Sequence, residues 1–178
     1  MIYIVGSGII GLSIGYKLIK DGYATEIISA NKDGESSIAA AGMLAPLLEF
    51  KPYEKDLLGL MIKSKEKWKD FSEELFRISS IDTEYQTNSS LMIGNNQDDL
   101  KQMEFHLKKL EFLNLKFNFL TREKTLSLEP NLSRYVQGSF LIKNQDQINP
   151  VRLKSSLKKA FLDLGGKIRE NQTIIKIE

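Results

Sequence analysis

Short apolar runs alternate along the chain with longer stretches in which apolar residues recur every three or four positions. The first run, Ile2 to Val5, predicts a strand, and the stretch from Ile9 to Asp21 predicts a helix. The apolar stripe expected on the inner face of that helix is Ile10, Ile14 and Leu18. Thr25 to Ile28 predicts the next strand. Strand, helix and strand within about 30 residues are typical of a parallel crossover unit, so an α/β fold with a doubly wound sheet is predicted.

The middle of the chain mixes helical and strand-like periods, which predicts an inserted α+β layer. Its predicted helices cover Tyr53 to Ser79, Gln97 to Leu113 and a turn before Pro130, and its predicted strands cover Thr83 to Thr87, Ser90 to Ile93, Lys116 to Leu120 and Gly138 to Ile142. The first pattern then returns at Asn149 and Pro150, an N-cap followed by an N1 proline. That helix is expected to stop at Gly165, before short strands at Lys167 to Arg169 and Thr173 to Ile177.

A glycine-rich turn of the form G-x-G-x-x-G joins the first strand to the first helix. Gly6 permits a tight turn, Gly8 lets a pyrophosphate approach the backbone, and Gly11 lets the helix lie close to the strand. The free N–H groups at the helix start, together with the helix dipole, favour phosphate charge. This context predicts a dinucleotide site. Its residues are Gly6, Gly8, Ile9, Ile10 and Gly11.

A second segment, residues 34–46, is rich in small side chains. Two interpretations are open: a helix packing closely against a neighbour, or backbone lying against a flat ligand, with Ser36 and Ser37 supplying hydroxyls to it. The position of the segment, some thirty residues after the dinucleotide turn, favours the ligand.

Composition removes several classes of function. A net charge of +2 gives no field for nucleic acid or an anionic membrane. The chain has no cysteine, so disulfides, thiolate metal sites, a cysteine nucleophile and a flavin tethered through sulfur are excluded. The one histidine, His106, is expected at an exposed helix position without a function, and no metal site is predicted. Residues 1–16 contain no charged side chain, but they include three glycines within six positions and lack a basic start. A signal peptide or membrane span is therefore not predicted, and a cytoplasmic location is expected.

The sequence GSGIIG followed by SSIAAAGMLAP resembles the FAD-dependent D-amino-acid oxidase superfamily. Within it, the chain most resembles the N-terminal half of the glycine oxidases of thiamine biosynthesis. The segments LTREKTLSLEPNL and QINPVRLKSSL are also similar to that family, so the resemblance covers all 178 residues. It implies a Rossmann-like FAD-binding domain of the glutathione-reductase type from residues 1–82 and 149–178. Residues 83–148 would be part of the substrate domain.

The resemblance also implies roles in binding FAD. The three glycines would hold the pyrophosphate, the two serines would lie along the phosphates, and Ile174 would present its backbone to adenine. The remaining small segment would lie near the flavin edge. The implied cofactor residues beyond the glycine turn are Ser29, Ser36, Ser37, Ala40, Ala41, Gly42, Met43 and Ile174.

The chemistry that the resemblance implies is hydride transfer from the Cα of a small amino acid, such as glycine, to the flavin. Oxygen then regenerates the flavin and yields hydrogen peroxide, and the imine is hydrolysed or passed to thiazole synthesis. Because the cofactor carries this chemistry, no residue is assigned a catalytic role.

Two departures from the family pattern are visible. Ser29 stands where an acidic residue is expected to hold the adenosine ribose, with Asp33 and Glu35 only in the following loop. An NAD(P)-dependent reductase is therefore an alternative interpretation. The second departure is length, because a flavin domain plus a substrate domain needs roughly 300 residues.

The part expected to hold the substrate carboxylate is missing from these 178 residues. A further alternative is thus a gene fragment, or a half-chain that needs a separately encoded C-terminal half; a homo-oligomer is also considered. The isolated chain is expected to aggregate or bind a partner, and to produce no peroxide from glycine.

Overall fold

The computed structural model describes residues 1–30, 36–49, 55–110 and 116–176. The strands in these residues are β1 (Ile2–Val5), β2 (Thr25–Ile28), β3 (Met43–Leu44), β4 (Gln86–Gly94), β5 (Phe117–Thr121), β6 (Gly138–Gln147) and β7 (Lys167–Arg169). The helices are α1 (Ile9–Lys20), α2 (Ser36–Ala39), α3 (Pro46–Glu49), α4 (Lys55–Ser79), α5 (Gln97–Lys109), α6 (Arg122–Leu128) and α7 (Pro150–Asp163). In the part of the chain that is described, no helix is both long enough and apolar enough to cross a membrane.

The chain divides into two compact units. The first unit contains Met1–Met43, Glu66–Tyr85 and Ile148–Glu178, and the second contains Leu44–Lys65 and Gln86–Gln147. The second unit therefore includes residues 44–65, which the sequence analysis placed in the FAD-binding domain. The assignment of a cofactor domain to residues 1–82 and 149–178, and of a substrate domain to residues 83–148, stays a prediction.

The first unit is built on a parallel sheet in the order β1, β2, β7. Ile2 pairs with Thr25 and Val5 with Ile28, so the predicted strand–helix–strand crossover and the α/β class are confirmed. The backbone N–H of Gly6 continues the pairing by donating to the Ile28 carbonyl at 2.8 Å. The turn after β1 and the end of β2 are therefore held side by side.

The inner face of α1 differs from the prediction. Ile10 and Ile14 are 78% and 49% exposed, whereas Leu12, Gly15 and Tyr16 are buried. The helix is apolar on nearly every side, so its sequence fits more than one stripe with a period of 3.6 residues. The face that packs is the one that carries a glycine, because Gly15 admits a close neighbour.

The neighbours of Gly15 are Ile27 on β2 and Phe161 on α7. A Cβ added to Gly15 would lie 2.9 Å from a side-chain carbon of Ile27 and 3.2 Å from a Phe161 ring carbon, and one added to Gly166 would lie 2.3 Å from another Phe161 ring carbon. Phe161 itself is completely buried. The start of α7 is as predicted, since the side chain of Asn149 accepts hydrogen bonds from the N–H groups of Val151 and Arg152.

A polar contact joins α1 to the part of α4 in the same unit. The buried Tyr16 hydroxyl donates to one oxygen of Glu74, and Lys20 Nζ donates to the other at 2.6 Å. Burial, followed by the bond to Glu74, raises the pKa of Tyr16 well above its ordinary value. Burial also acts to raise the pKa of Glu74. The hydrogen bonds from Lys20 and Tyr16 act in the opposite direction and together outweigh burial, so the pKa of Glu74 is lowered. Both residues therefore keep the protonation states that this contact needs at neutral pH.

The second unit contains a sheet in the order β3, β6, β4, with β5 also paired to β6, and the pairings of β4 and β5 with β6 are antiparallel. Its core joins α5 to the sheet through buried apolar side chains: Leu100, Leu107, Leu110, Phe140 and Ile142. The helical period of the sequence from Gln97 to Leu113 predicts an inner face of Leu100, Met103, Leu107 and Leu110. Three of them are buried in this core and Met103 packs against it partly buried, while residues 111–113 lie outside the described residues. His106, predicted to be exposed, is half-buried, and its Nε2 atom is enclosed by protein.

Several strand boundaries differ from the prediction. The two strands predicted at Thr83 to Thr87 and Ser90 to Ile93 are replaced by one strand, β4. Its pairing with β6 shifts register between Asn88 and Ser90, so the polar residues between the predicted strands form an irregularity within β4 and do not end it. The described part of the predicted strand Thr173 to Ile177 forms no strand. Asn171 has a φ of +58°, which turns the chain away from the direction of β7 before that segment begins.

Candidate functional site

The turn between β1 and α1 is open backbone. Gly6 has a φ of +104°, and a Cβ added to it would meet no atom within 4 Å. Gly8 occupies the N-cap of α1 and supplies no side-chain hydrogen bond to the helix. The turn therefore offers its backbone, and no side chain, to the space in front of the helix.

Gly11 holds the helix against this turn. A Cβ at Gly11 would lie 2.0 Å from the carbonyl oxygen of Gly6 and 3.4 Å from a side-chain carbon of Ile4. The distance to the Gly6 oxygen is far shorter than a van der Waals contact, and this oxygen belongs to the backbone, so it cannot move aside as a side chain could. The close approach predicted at Gly11 is therefore present, and it is made mainly to the turn.

The start of α1 favours an anion. Its first turn contains no acidic residue, so the helix itself places no carboxylate against the positive end of its dipole. The N–H groups of Ile10 and Gly11 have no acceptor four residues earlier within the helix, as at every helix start. The Ile9 N–H donates to the hydroxyl of Ser37 at 3.1 Å. The structure therefore places Ser37, on α2, directly at this helix end.

Ser37 is the predicted serine that reaches the glycine turn. A Cβ on Gly8 would lie 3.3 Å from Ser37 Oγ, a distance at which one of the two would have to shift. The other predicted residues of the small segment are exposed, and the structure shows no turn contact for them: Ser36, Ala40, Ala41 and Met43. Their roles beside phosphates or flavin stay predictions.

Gly42 anchors the far end of the small segment. Its carbonyl accepts a hydrogen bond of 2.9 Å from the N–H of Ile148. Its φ is +79°, and a Cβ there would lie 1.9 Å from the Ile148 carbonyl oxygen. Only glycine fits this position without movement of the backbone, for reasons of both conformation and space.

We expect Gly42→Ala to lower the free energy of unfolding by about 3 kcal/mol or more, because two costs are summed: the strain of alanine in a left-handed conformation and the clash of its Cβ with the backbone of Ile148. Gly165→Ala is the matched control, because Gly165 also has a positive φ, +92°, but has no atom within 4 Å of an added Cβ. The control should lose only about 1 kcal/mol, the cost of the conformation alone. Urea denaturation of both variants measures the difference, and equal losses would contradict the clash.

Ser29, the predicted ribose position, ends β2 with its side chain turned inward. Its hydroxyl shares a hydrogen bond of 2.7 Å with the hydroxyl of Ser7, and both residues are buried. Its N–H donates to the Arg169 carbonyl at 2.8 Å, and its carbonyl accepts from the Gln172 N–H at 2.9 Å. Ile174 follows two residues later in an exposed segment, and its proposed backbone contact with adenine stays a prediction.

The structure thus brings together the glycine turn, Ser37 and the end of β2, and it anchors Gly42 separately. Two participants were missed by the sequence analysis. Ser7 could have been noticed as a hydroxyl between the first two glycines, whereas no sequence signal marks Ile148 as the partner of Gly42. Within the described ranges, no group of three or more histidine or acidic side chains is arranged to hold a metal ion.

Comparison with protein families gives one match over the whole chain. The family described as FAD dependent oxidoreductase matches residues 1–178. The glycine oxidase of Bacillus subtilis (strain 168) is 27% identical to this chain over 177 residues, which are 98% of this chain and 46% of that protein.

Solved structures give the same result for the fold. Glycine oxidase from Geobacillus kaustophilus superimposes with a TM-score of 0.88 at 25% identity, covering 96% of this chain and 46% of that one. Glycine oxidase from Bacillus cereus ATCC 14579 has a TM-score of 0.89 at 22% identity, covering 99% and 47%. The chain therefore spans about half the length of the relatives that it matches.

Proposed function

This chain belongs to the FAD dependent oxidoreductase family, and on that basis we propose that it provides the pyrophosphate-binding part of an amino-acid oxidase of the glycine oxidase type. FAD is the cofactor, as the family description states. The comparisons give no support to the alternative of an NAD(P)-dependent reductase.

The residues of the first unit fit a dinucleotide. The observation that carries the proposal is the contact of Gly11 with Gly6: an added Cβ would lie 2.0 Å from the Gly6 carbonyl oxygen, so the helix can lie this close to the turn only with glycine at position 11. In front of this turn, the amides of α1 point outward with no carboxylate in the first helical turn. We propose that Gly6, Gly8 and Gly11 hold the pyrophosphate and that Ser37 lies beside it.

Each element contributes to binding in a different way. The first amides of α1 stabilise phosphate charge, and the Cβ-free turn lets the phosphate come close to them. Ser37 has a hydroxyl hydrogen left to donate, because its oxygen accepts from Ile9. Bound FAD supplies the acceptor for a hydride from the substrate. The chain thus holds and orients the cofactor.

The substrate is proposed to be a small amino acid such as glycine. This rests on the relatives named glycine oxidase and on the AAAGM resemblance described above. Formation of hydrogen peroxide, a link to thiamine biosynthesis and a cytoplasmic location are parts of the same proposal. They concern the activity of a protein about twice the length of this chain.

We expect the protein to be yellow when it is purified together with any further sequence that is required to form the flavin site. Its flavin should be fully released by heat or acid, because no cysteine is present in these 178 residues to tether it through sulfur. The measurement is the absorbance of the filtrate after denaturation, compared with the absorbance of the precipitate. Flavin that stays with the precipitate would contradict noncovalent binding. A colourless protein that binds NADPH would overturn the proposed function.

A further inference from the structure

The attachment of Gly42 to Ile148 depends on what holds the chain at the start of α7. Ile148 is buried, and its amide donates to the Gly42 carbonyl at 2.9 Å. The next amide along the chain, that of Asn149, donates to the Thr83 carbonyl at 3.0 Å. Thr83 is completely buried, and its hydroxyl shares a hydrogen bond with the hydroxyl of Ser72 on α4. Two successive amides therefore join the small segment to the loop that contains Thr83.

The side chain of Asn149 strengthens this connection by using both of its ends. Its oxygen accepts from the amides of Val151 and Arg152 and caps α7, while its Nδ2 donates to Glu84 Oε2 at 2.8 Å. The other Glu84 oxygen lies 3.4 Å from Arg152 Nε, which donates to the Asp82 carbonyl at 2.5 Å. One residue thus links the start of α7 to the loop that contains Glu84.

The backbone of Glu84 is strained. Its φ is +55°, a left-handed conformation that residues other than glycine rarely adopt. The side chains of Glu84 and Arg152 are 47% and 43% exposed, so their ion pair adds little to stability. Strain that is held by contacts of small energetic value is typical of positions that fix the geometry of a functional site.

We propose that Glu84 and Asn149 are positioning residues for the flavin dinucleotide. Their hydrogen bond fixes the backbone at Ile148, and Ile148 in turn fixes Gly42 and the small segment that precedes it. The inference rests on the proposed function, in which this segment lies against bound FAD. Neither side chain is assigned a contact with the cofactor or a step in the reaction.

The first test is the Kd of FAD for Asn149→Asp, titrated into apoprotein and followed by flavin fluorescence. Aspartate caps a helix as well as asparagine does, so α7 keeps its start. The donor to Glu84 is lost, however, and two carboxylates then face each other. We expect binding to weaken about fivefold, the equivalent of one net hydrogen bond. Circular dichroism establishes that the titrated protein is folded, because a loss of stability alone does not change the Kd of fully folded protein.

The matched control is Asn96→Asp. Asn96 is the exposed N-cap of α5 in the second unit, and its side chain accepts from the amide of Asp99. The same chemical change there should leave the Kd of FAD within about twofold of that of the unchanged protein. A fivefold loss in this control as well would show that the effect of Asn149→Asp is not local, and the inference would be wrong.

The double variant Asn149→Asp/Glu84→Gln exchanges donor and acceptor. The new amide on residue 84 donates to the new carboxylate on residue 149, so we expect the Kd of FAD to return to within about twofold of its original value. If Asn149→Asp fails to fold, Glu84→Ala removes the same hydrogen bond at a half-exposed loop position and is expected to weaken FAD binding to the same extent. Unchanged FAD binding in the single variants, or no recovery in the double variant, would overturn the inference. Failure of the unchanged protein to bind FAD would instead overturn the proposed function.

Discussion

Replacing Gly11 by alanine should both unfold the first unit and abolish FAD binding. The new methyl group would lie 2.0 Å from the Gly6 carbonyl oxygen, and a backbone atom cannot move aside by changing rotamer. Either the helix separates from the turn or the turn loses its shape. We expect a loss of about 3–5 kcal/mol in the free energy of unfolding, measured by urea denaturation. A flavin titration of any folded fraction should show no saturable binding.

The control for Gly11→Ala is Gly59→Ala. Gly59 lies within α4, and an added Cβ would have no neighbour within 4 Å. Alanine in an open helical position is expected to stabilise the protein by about 0.5–1 kcal/mol. If Gly11→Ala instead kept normal stability and bound FAD, the close approach of α1 to the turn would be wrong.

Removing the ring of Phe161 should cost about 3–5 kcal/mol of unfolding free energy, as large-to-small changes of fully buried aromatic residues do. The ring fills the space that two glycines, Gly15 and Gly166, leave between α1, α7 and the start of β7. No side chain at those glycines can expand to refill the cavity. Thermal or urea denaturation of Phe161→Ala measures the loss.

Phe76→Ala provides the comparison for Phe161. Phe76 also lies on a helix of the first unit, but it is 52% exposed. Its truncation should change stability by less than about 1 kcal/mol. Similar losses for the two variants would show that Phe161 is not the centre of this packing.

The elements with a distinct local signal were predictable from the sequence. The cap at Asn149 and Pro150, the strand before the glycine turn and the inner face of α5 all appear where expected. The packing face of α1 was not predictable from the sequence. Apolar residues lie on nearly every side of that helix, so periodicity alone cannot decide which stripe is buried. The choice is made by Gly15, which leaves room for Ile27 on β2 and for Phe161, a residue about 150 positions away in the sequence.

The candidate site divides in the same way. The glycines could be assigned because each answers a local backbone requirement, and the structure shows Gly11 in contact with the turn. The inward orientation of Ser29 could not be predicted from the sequence, because its hydrogen-bond partner Ser7 lies at the end of another strand. Contacts between residues distant in sequence, such as Gly42 with Ile148, leave no periodic signal.

The short segment between Ser37 and Gly42 is fastened at both ends, by the Ile9 amide at one and the Ile148 backbone at the other. Only four residues lie between these two attachments, and all four are exposed to solvent. A segment this short, attached at both ends, has few accessible conformations. Its conformational entropy is already lost on folding, so a ligand that contacts residues 38–41 meets a preorganised surface and binds with a smaller entropic cost.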